Sequence, residues 1–362
     1  MIVGVPAETK SGETRIALAP AGVHALVARG HRVVVESGAG AGAGIGDDAL
    51  VAAGATLADA AGAWGSDLVL KVKEPQPHEL PLLCDNVLFT FLHLAANPAL
   101  ATALRAAGTT ALSYDTVQDD AGGLPLLAPM SEIAGRLAVV AGAHHLLGPS
   151  GGRGILLGGA PGVPGARVVV IGAGVAGVHA VAQAAGLGAD VTALDVSLPA
   201  LRRLDERFGG RVRTVASTAL AVEEAVVSAD LVVGAVLVPG RPAPVVVTRD
   251  MLEAMTPGSV LVDIAIDQGG CVAGVVPTTH ADPVRRLGRA RVYSVANMPA
   301  AVGVTATLAL TNATLPYALR LADGVDAAVE ADRALARGVN VRAGRIVHPA
   351  VAEALGEGAV SA

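Results

Sequence analysis

ARVVVIGAGVAGVHAVAQAAGLGADVTALD, residues 166–195, decides how the chain is read. A β-branched run (Val168, Val169, Val170, Ile171) leads into Gly172-x-Gly174-x-x-Gly177, a helix of small residues follows, and a second strand ends on Asp195. This order is that of a dinucleotide-binding βαβ unit. Gly172 makes the tight turn, Gly174 lets backbone approach a pyrophosphate, and Gly177 lets helix and strand pack closely. The helix N-terminus offers N–H groups and a positive dipole end to phosphate. Asp195, 23 positions after Gly172, stands where a carboxylate accepts hydrogen bonds from a ribose and repels a 2′-phosphate, so NAD is expected over NADP. In a chain with 45 glycines the three glycines alone would mean little; strand, turn, helix and acid in sequence give them weight.

Outward from this unit, short apolar runs alternate with helical patterns. Strands are expected at 1–5, 32–36, 67–72, 87–92 and 109–113 before it, and at 212–216, 231–236, 259–266 and 291–295 after it. Such alternation predicts parallel sheets covered by helices. The fold class is therefore α/β, with two Rossmann-like domains and parallel sheets. Ser131 is expected to cap a connector helix, and 304–324 to form a long helix followed by further helix after Val325. The C-terminal helices are expected to return to the first domain and make it discontinuous. The expected division is 1–126 with 304–362 as a substrate domain and 127–303 as the NAD-binding domain.

Composition narrows the function. The 362 residues are 52% hydrophobic, 2% aromatic and 16% charged, with net charge −6, which disfavours nucleic-acid binding. No uninterrupted apolar run of membrane-spanning length occurs, and MIVGVPAETK reads as strand and polar loop rather than a signal sequence. Cys84 and Cys271 imply no disulfide framework. A soluble cytoplasmic protein is expected, and its apolar excess is expected to be buried between subunits.

In open parallel sheets, ligands sit beyond the carboxyl ends of the strands. Arg15 ends the loop after the first strand, Lys73 follows 67–72, His93 follows 87–92, and Asp267 follows 259–266. If the two carboxyl edges face each other, these four converge beside a nicotinamide. Taken singly, Arg15 would be a solvated loop charge, His93 a core histidine and Asp267 a turn cap, and one of Lys71 and Lys73 an edge charge; their joint placement favours a site. No metal site is expected: His144 and His145 are adjacent on a helix and point in different directions, and no Cys/His spacing suits zinc. No GxSxG elbow or Walker lysine is present.

MIVGVPAETK, GETRIALAPAGV, DLVLKVKEP, LFTFLHLAA, LPLLAPMSEIAGRLA, VVVIGAGVAG, DLVVGAVLVPG, VLVDIAIDQGGC, PTTH, VANMPA and ALTNATLPY resemble, in order, the signatures of the bacterial L-alanine dehydrogenases, from Met1 to about Gly324. The resemblance implies reversible oxidative deamination of L-alanine to pyruvate and ammonium with reduction of NAD⁺. It implies that Arg15 and Lys73 hold the substrate carboxylate and carbonyl, that His93 is the acid/base, and that Asp267 assists water addition. It further implies cofactor contacts from Ser131, Gly172, Gly174, Val175, Gly177, Asp195 and Asn297, a cleft between the two domains that closes over substrate, and a homohexamer. Val272 and Ala273 after DQGGC, and 301–304 after VANMPA, depart from the family pattern in a loop and at a hinge. The rival readings are the NAD-binding component of a proton-translocating transhydrogenase, a saccharopine-forming dehydrogenase, and a non-catalytic dinucleotide sensor.

Overall fold

The computed structural model describes residues 1–237 and 243–356. The chain divides into two compact units, Met1–Met130 with Ala300–Ala362 and Ser131–Pro299. The end of DLVVGAVLVPG and residues 357–362 of the expected substrate domain lie outside the described residues.

The first unit holds an eight-stranded sheet. Its spatial order is Arg345–Ile346, Val339–Arg342, Thr110–Ser113, Val87–Thr90, Leu68–Leu70, Ile2–Val5, Arg32–Glu36, Thr56–Ala58. Neighbours are parallel from Thr110–Ser113 through to Thr56–Ala58, and the two C-terminal strands join antiparallel. The helices between strands carry their own punctuation. Asn97 caps Leu100 N–H at the start of Pro98–Ala107, and Gly108 at φ 74° ends it. Leu100, Ala101 and Leu104 of that helix are buried against Leu88 and Ala111 of the sheet.

The second unit holds a seven-stranded sheet in the order Val284–Leu287, Ala290–Tyr293, Val260–Asp263, Leu231–Gly234, Arg167–Ile171, Asp190–Asp195, Val212–Ala216. All neighbours are parallel except the Val284–Leu287 hairpin edge. Both faces are packed. Val168 and Val170 join one apolar cluster and Val169 and Ile171 the other, so the continuous apolar run reflects burial on two sides.

In each sheet the strand order reverses beside the first strand: Ile2–Val5 lies between Arg32–Glu36 and Leu68–Leu70, and Arg167–Ile171 between Asp190–Asp195 and Leu231–Gly234. Ligand sites of open α/β sheets form at such reversals.

Several expectations need correction. The strands are shorter than the apolar runs: 67–72 contains Leu68–Leu70, 87–92 contains Val87–Thr90, and 259–266 contains Val260–Asp263. The last ends where the Asp263 carboxylate accepts Ala265 N–H at 3.0 Å and turns the chain into a 3-10 helix, Ile264–Gln268. The connector helix begins at Ala128, with Pro129 in its first turn, so Ser131 lies within the helix and caps nothing. After Val325–Ala331 and Arg333–Gly338 the chain returns to the first sheet as two strands rather than helix alone.

His144 and His145 do not point apart, since their rings meet edge to face at 4.9 Å. Among the described residues, no group of three or more His, Cys, Asp or Glu is arranged to hold a metal ion. Among the described residues, one helical stretch, 298–323, has membrane-spanning length and composition, and about half of its apolar part is buried, including Ala306 and Leu310.

Candidate functional site

The loops leaving Ile2–Val5 and Leu68–Leu70 interlock through charge. Glu13 accepts Nε of Arg15 at 2.6 Å and Nη2 at 2.5 Å, and Arg15 is only 2% exposed. Its Nη1 meets Met130 Sδ at 2.9 Å. Arg15 is therefore no solvated loop charge. Lys71 is no edge charge either. It is wholly buried, with Nζ 3.1 Å from Glu79 and 3.3 Å from Glu8. Glu8 also accepts Val72 N–H at 2.6 Å and Lys73 N–H at 3.2 Å, which fixes the backbone from which the Lys73 side chain departs. Burial pushes the Glu8 carboxyl up, opposed by Lys71 and these N–H groups.

His93 stands three residues beyond the end of Val87–Thr90, immediately before the 3-10 helix Leu94–Ala96, in a left-handed conformation, φ 47°. Non-glycine residues rarely adopt this region, and such positions gather at functional sites. The side chain is 43% exposed, so it is not a core histidine. Its ring lies parallel to Phe91 at 5.9 Å, while Lys73 Nζ lies 6.0 Å from the centroid of the same ring. Phe91 thus neighbours both candidate residues. Nδ1 of His93 faces Asp115 Oδ2 at 3.6 Å.

In the second unit the glycine loop has the shape its sequence demands. Gly172 adopts φ 106°, and a Cβ there would meet Ala235 O at 2.5 Å. A Cβ on Gly177 would collide with the carbonyl of Gly172, whereas nothing stands within 4 Å of one on Gly174. The helix Val175–Gly186 begins with no side-chain cap. Its first turn therefore presents backbone N–H groups at an open approach, which fits a pyrophosphate.

Asp195 accepts Ala173 N–H at 2.6 Å and Ser197 N–H at 2.7 Å, so the acid also braces the loop. Gly135 packs against the carbonyl of Ala176, and Ser131 precedes Gly135 by one helical turn on the same face. Asp267 is exposed on its 3-10 helix and accepts Asn297 N–H at 3.3 Å; Asn297 is left-handed at φ 60°.

Below Asp267 lies a group that the sequence reading passed over. Asp263 is fully buried and accepts Ala265 N–H at 3.0 Å and Cys271 N–H at 2.9 Å, fastening both ends of the loop. Burial raises its carboxyl, and raises the Cys271 thiol well above its ordinary value. Glu8, Glu13, Asp115 and Glu79 were also passed over. Glu13 had a signal, since it stands two residues before Arg15 in the same polar loop.

Arg15, Lys73 and His93 belong to the first unit, and Ser131, the glycines, Asp195, Asp267 and Asn297 to the second. A glycine-loop unit with an acid at its second strand, joined to a unit bearing buried cations and a strained histidine, defines a two-unit dinucleotide-binding enzyme. Residues 4–134 match the family model described as alanine dehydrogenase/PNT, N-terminal domain, and residues 138–349 its C-terminal domain. The chain belongs to the alanine dehydrogenase/PNT family.

An alanine dehydrogenase of Halomonas elongata is 54% identical over 98% of this chain and 97% of its own. A solved structure titled L-alanine dehydrogenase superposes with TM-score 0.95 at 49% identity, covering 98% of this chain and 99% of that one. A transhydrogenase from Sinorhizobium meliloti matches with TM-score 0.82 at 30% identity, over 97% and 100% of the two chains.

Proposed function

We propose that this protein is an NAD-dependent L-alanine dehydrogenase, with Arg15, Lys73, His93 and Asp267 carrying the reaction. The overall change is L-alanine + NAD⁺ + H₂O to pyruvate + NH₄⁺ + NADH + H⁺. The single observation that carries the reading is near-full-length identity of about half to alanine dehydrogenases.

Bound NAD⁺ supplies the hydride acceptor. The chain supplies everything that positions and protonates. Glu13 holds Nε and Nη2 of Arg15 and so sets the plane of the guanidinium that receives the substrate carboxylate. Lys73, fixed through Glu8, stabilises charge developing on the carbonyl oxygen. Once the substrate ammonium has given a proton to solvent, loss of hydride from the α-carbon gives an iminium that water attacks. His93 accepts the proton of that water and returns it as the carbinolamine collapses, a task suited to an imidazole near neutral pH. Asp267 assists the water. The Gly172, Gly174, Val175 and Gly177 loop receives the pyrophosphate, and Asp195 the ribose; Ser131 and Asn297 complete the cofactor contacts.

A cytoplasmic homohexamer is the working form. Free Cys84 and Cys271 support the compartment, and exposed Val196, Leu198 and Leu220 are apolar surface available for subunit contacts. Light scattering is expected to give the mass of six chains; a monodisperse monomer would contradict it.

Initial rates of NADH formation with NAD⁺ and a panel of L-amino acids, and of NADH consumption with pyruvate, glyoxylate and ammonium, test the activity. Selective turnover of L-alanine and pyruvate is expected. NADH binding without turnover of any amino acid would reject the reading in favour of a dinucleotide sensor.

A further inference from the structure

We propose that Asp115 is the positioning residue for His93: it orients the ring with Nδ1–H toward its own carboxylate, leaving Nε2 as the nitrogen that exchanges protons with water and substrate. This rests on His93 being the acid/base. Asp115 lies two residues beyond Thr110–Ser113, the strand beside the one that leads to His93. Its Oδ2 faces His93 Nδ1 at 3.6 Å. Its Oδ1 is tied down, accepting the Ser113 hydroxyl and Leu92 N–H. The carboxylate is therefore anchored to the residue immediately before His93.

The ring has little choice of orientation. Its backbone is held left-handed, and Phe91 lies flat against it, with planes 5° apart. Rotation about χ2 would exchange Nδ1 for a carbon facing Asp115. A separation of 3.6 Å is within ion-pair reach, and catalytic contacts are commonly this long before substrate is bound. The other titratable groups near this corner are Lys73, beside Phe91, and His348, whose electrostatic partner is also Asp115. Neither offers an acceptor to Nδ1: Lys73 is a cation, and Nδ1 of His348 is committed to Val351 N–H.

A carboxylate on Nδ1 selects one tautomer and steadies the imidazolium as it forms, as the aspartate does for histidine in the Ser-His-Asp triad of hydrolases. No atom is transferred to Asp115. Its part is to hold the ring still and keep the reactive lone pair on Nε2.

Asp115→Asn in the full chain tests this. With L-alanine and NAD⁺, kcat is expected to fall about 10- to 100-fold, as for removal of other ring-orienting partners, while KM and NADH affinity stay within about twofold. Ring-¹³C histidine NMR, with NAD⁺ and pyruvate present as an unreactive pair, supplies the second readout. The His93 signal, identified by its loss in His93→Gln, is expected as the Nδ1–H tautomer in the unmodified protein and as Nε2–H in Asp115→Asn.

An unchanged tautomer, or an unchanged kcat, would overturn the assignment. If Asp115→Asn does not fold, Ser113→Ala removes the hydroxyl that anchors Oδ1. The same displacement of tautomer and kcat is then expected, smaller in size, and its absence overturns the assignment. Should the unmodified protein show no turnover of L-alanine, the proposed activity fails; the NMR signal decides the Asp115–His93 relation separately.

Discussion

Glu13 grips Arg15 through both carboxylate oxygens, at 2.6 and 2.5 Å, with the two side chains almost entirely out of solvent. The grip sets the angle of the guanidinium and offsets its charge. Glu13→Ala is expected to cost about 3–5 kcal/mol of stability, the usual result of breaking a buried pair from one side. It is also expected to raise KM for L-alanine and pyruvate about tenfold, equivalent to about 1.4 kcal/mol. Thermal unfolding and steady-state kinetics read both effects, and a KM that stays put would remove Glu13 from the substrate argument.

His93→Ala is expected to abolish turnover by at least about 100-fold, the ordinary contribution of a positioned acid/base. NADH binding, followed by fluorescence titration, is expected to survive, because His93 lies in the first unit and the glycine loop in the second. Loss of both would assign the residue to structure.

Asp195 has two duties here, since its oxygens hold Ala173 N–H and Ser197 N–H at the expected ribose position. Asp195→Ala is accordingly expected to weaken NAD binding and to raise the NADP-to-NAD ratio of kcat/KM together. A ratio unchanged from the parent protein would sink the ribose assignment.

Acid is expected to loosen the C-terminal helix Pro349–Ala354. His348 caps it by accepting Val351 N–H on Nδ1 at 3.4 Å, and burial holds its imidazole below the usual value, with Asp115 opposing. A histidine whose folded-state value is depressed contributes nothing at high pH, where both states are neutral. As pH falls below about 6.5 the unfolded chain binds a proton that the folded chain resists, so stability declines. His145 and His179, also lowered by burial, act in the same direction. The melting temperature is expected to drop between pH 7 and 5, and to drop less in His348→Gln; an identical slope in the variant would exclude the cap as a cause.

What could be read beforehand was local. Strand, glycine turn, helix and Asp195 are contiguous, and each residue type answers to backbone geometry at its own position. Arg15, Lys73 and His93 could be placed in loops, though the apolar runs continue past the strands and hid where those loops begin. The partners that make them a site could not be seen. Glu8 meets Lys71 across more than sixty positions, and Asp115 meets His93 across a strand pair. A solitary acid gives no hint of a partner that only the sheet order brings alongside. The hairpin at 339–346 did leave a trace: Val339 and Val341 alternate with Asn340 and Arg342, and Ala343 and Gly344 both turn with positive φ. Helix-favouring residues upstream obscured it.

The pairing of Val339–Arg342 with Thr110–Ser113 bears on how the protein is made. A ribosome completes all of 131–299 before it reaches the strand that covers Thr110–Ser113. The inserted unit can therefore finish folding during synthesis, while the earlier sheet waits with an exposed edge able to recruit strands from other nascent chains. Crowded polysomes would be the setting in which this protein most needs a chaperone.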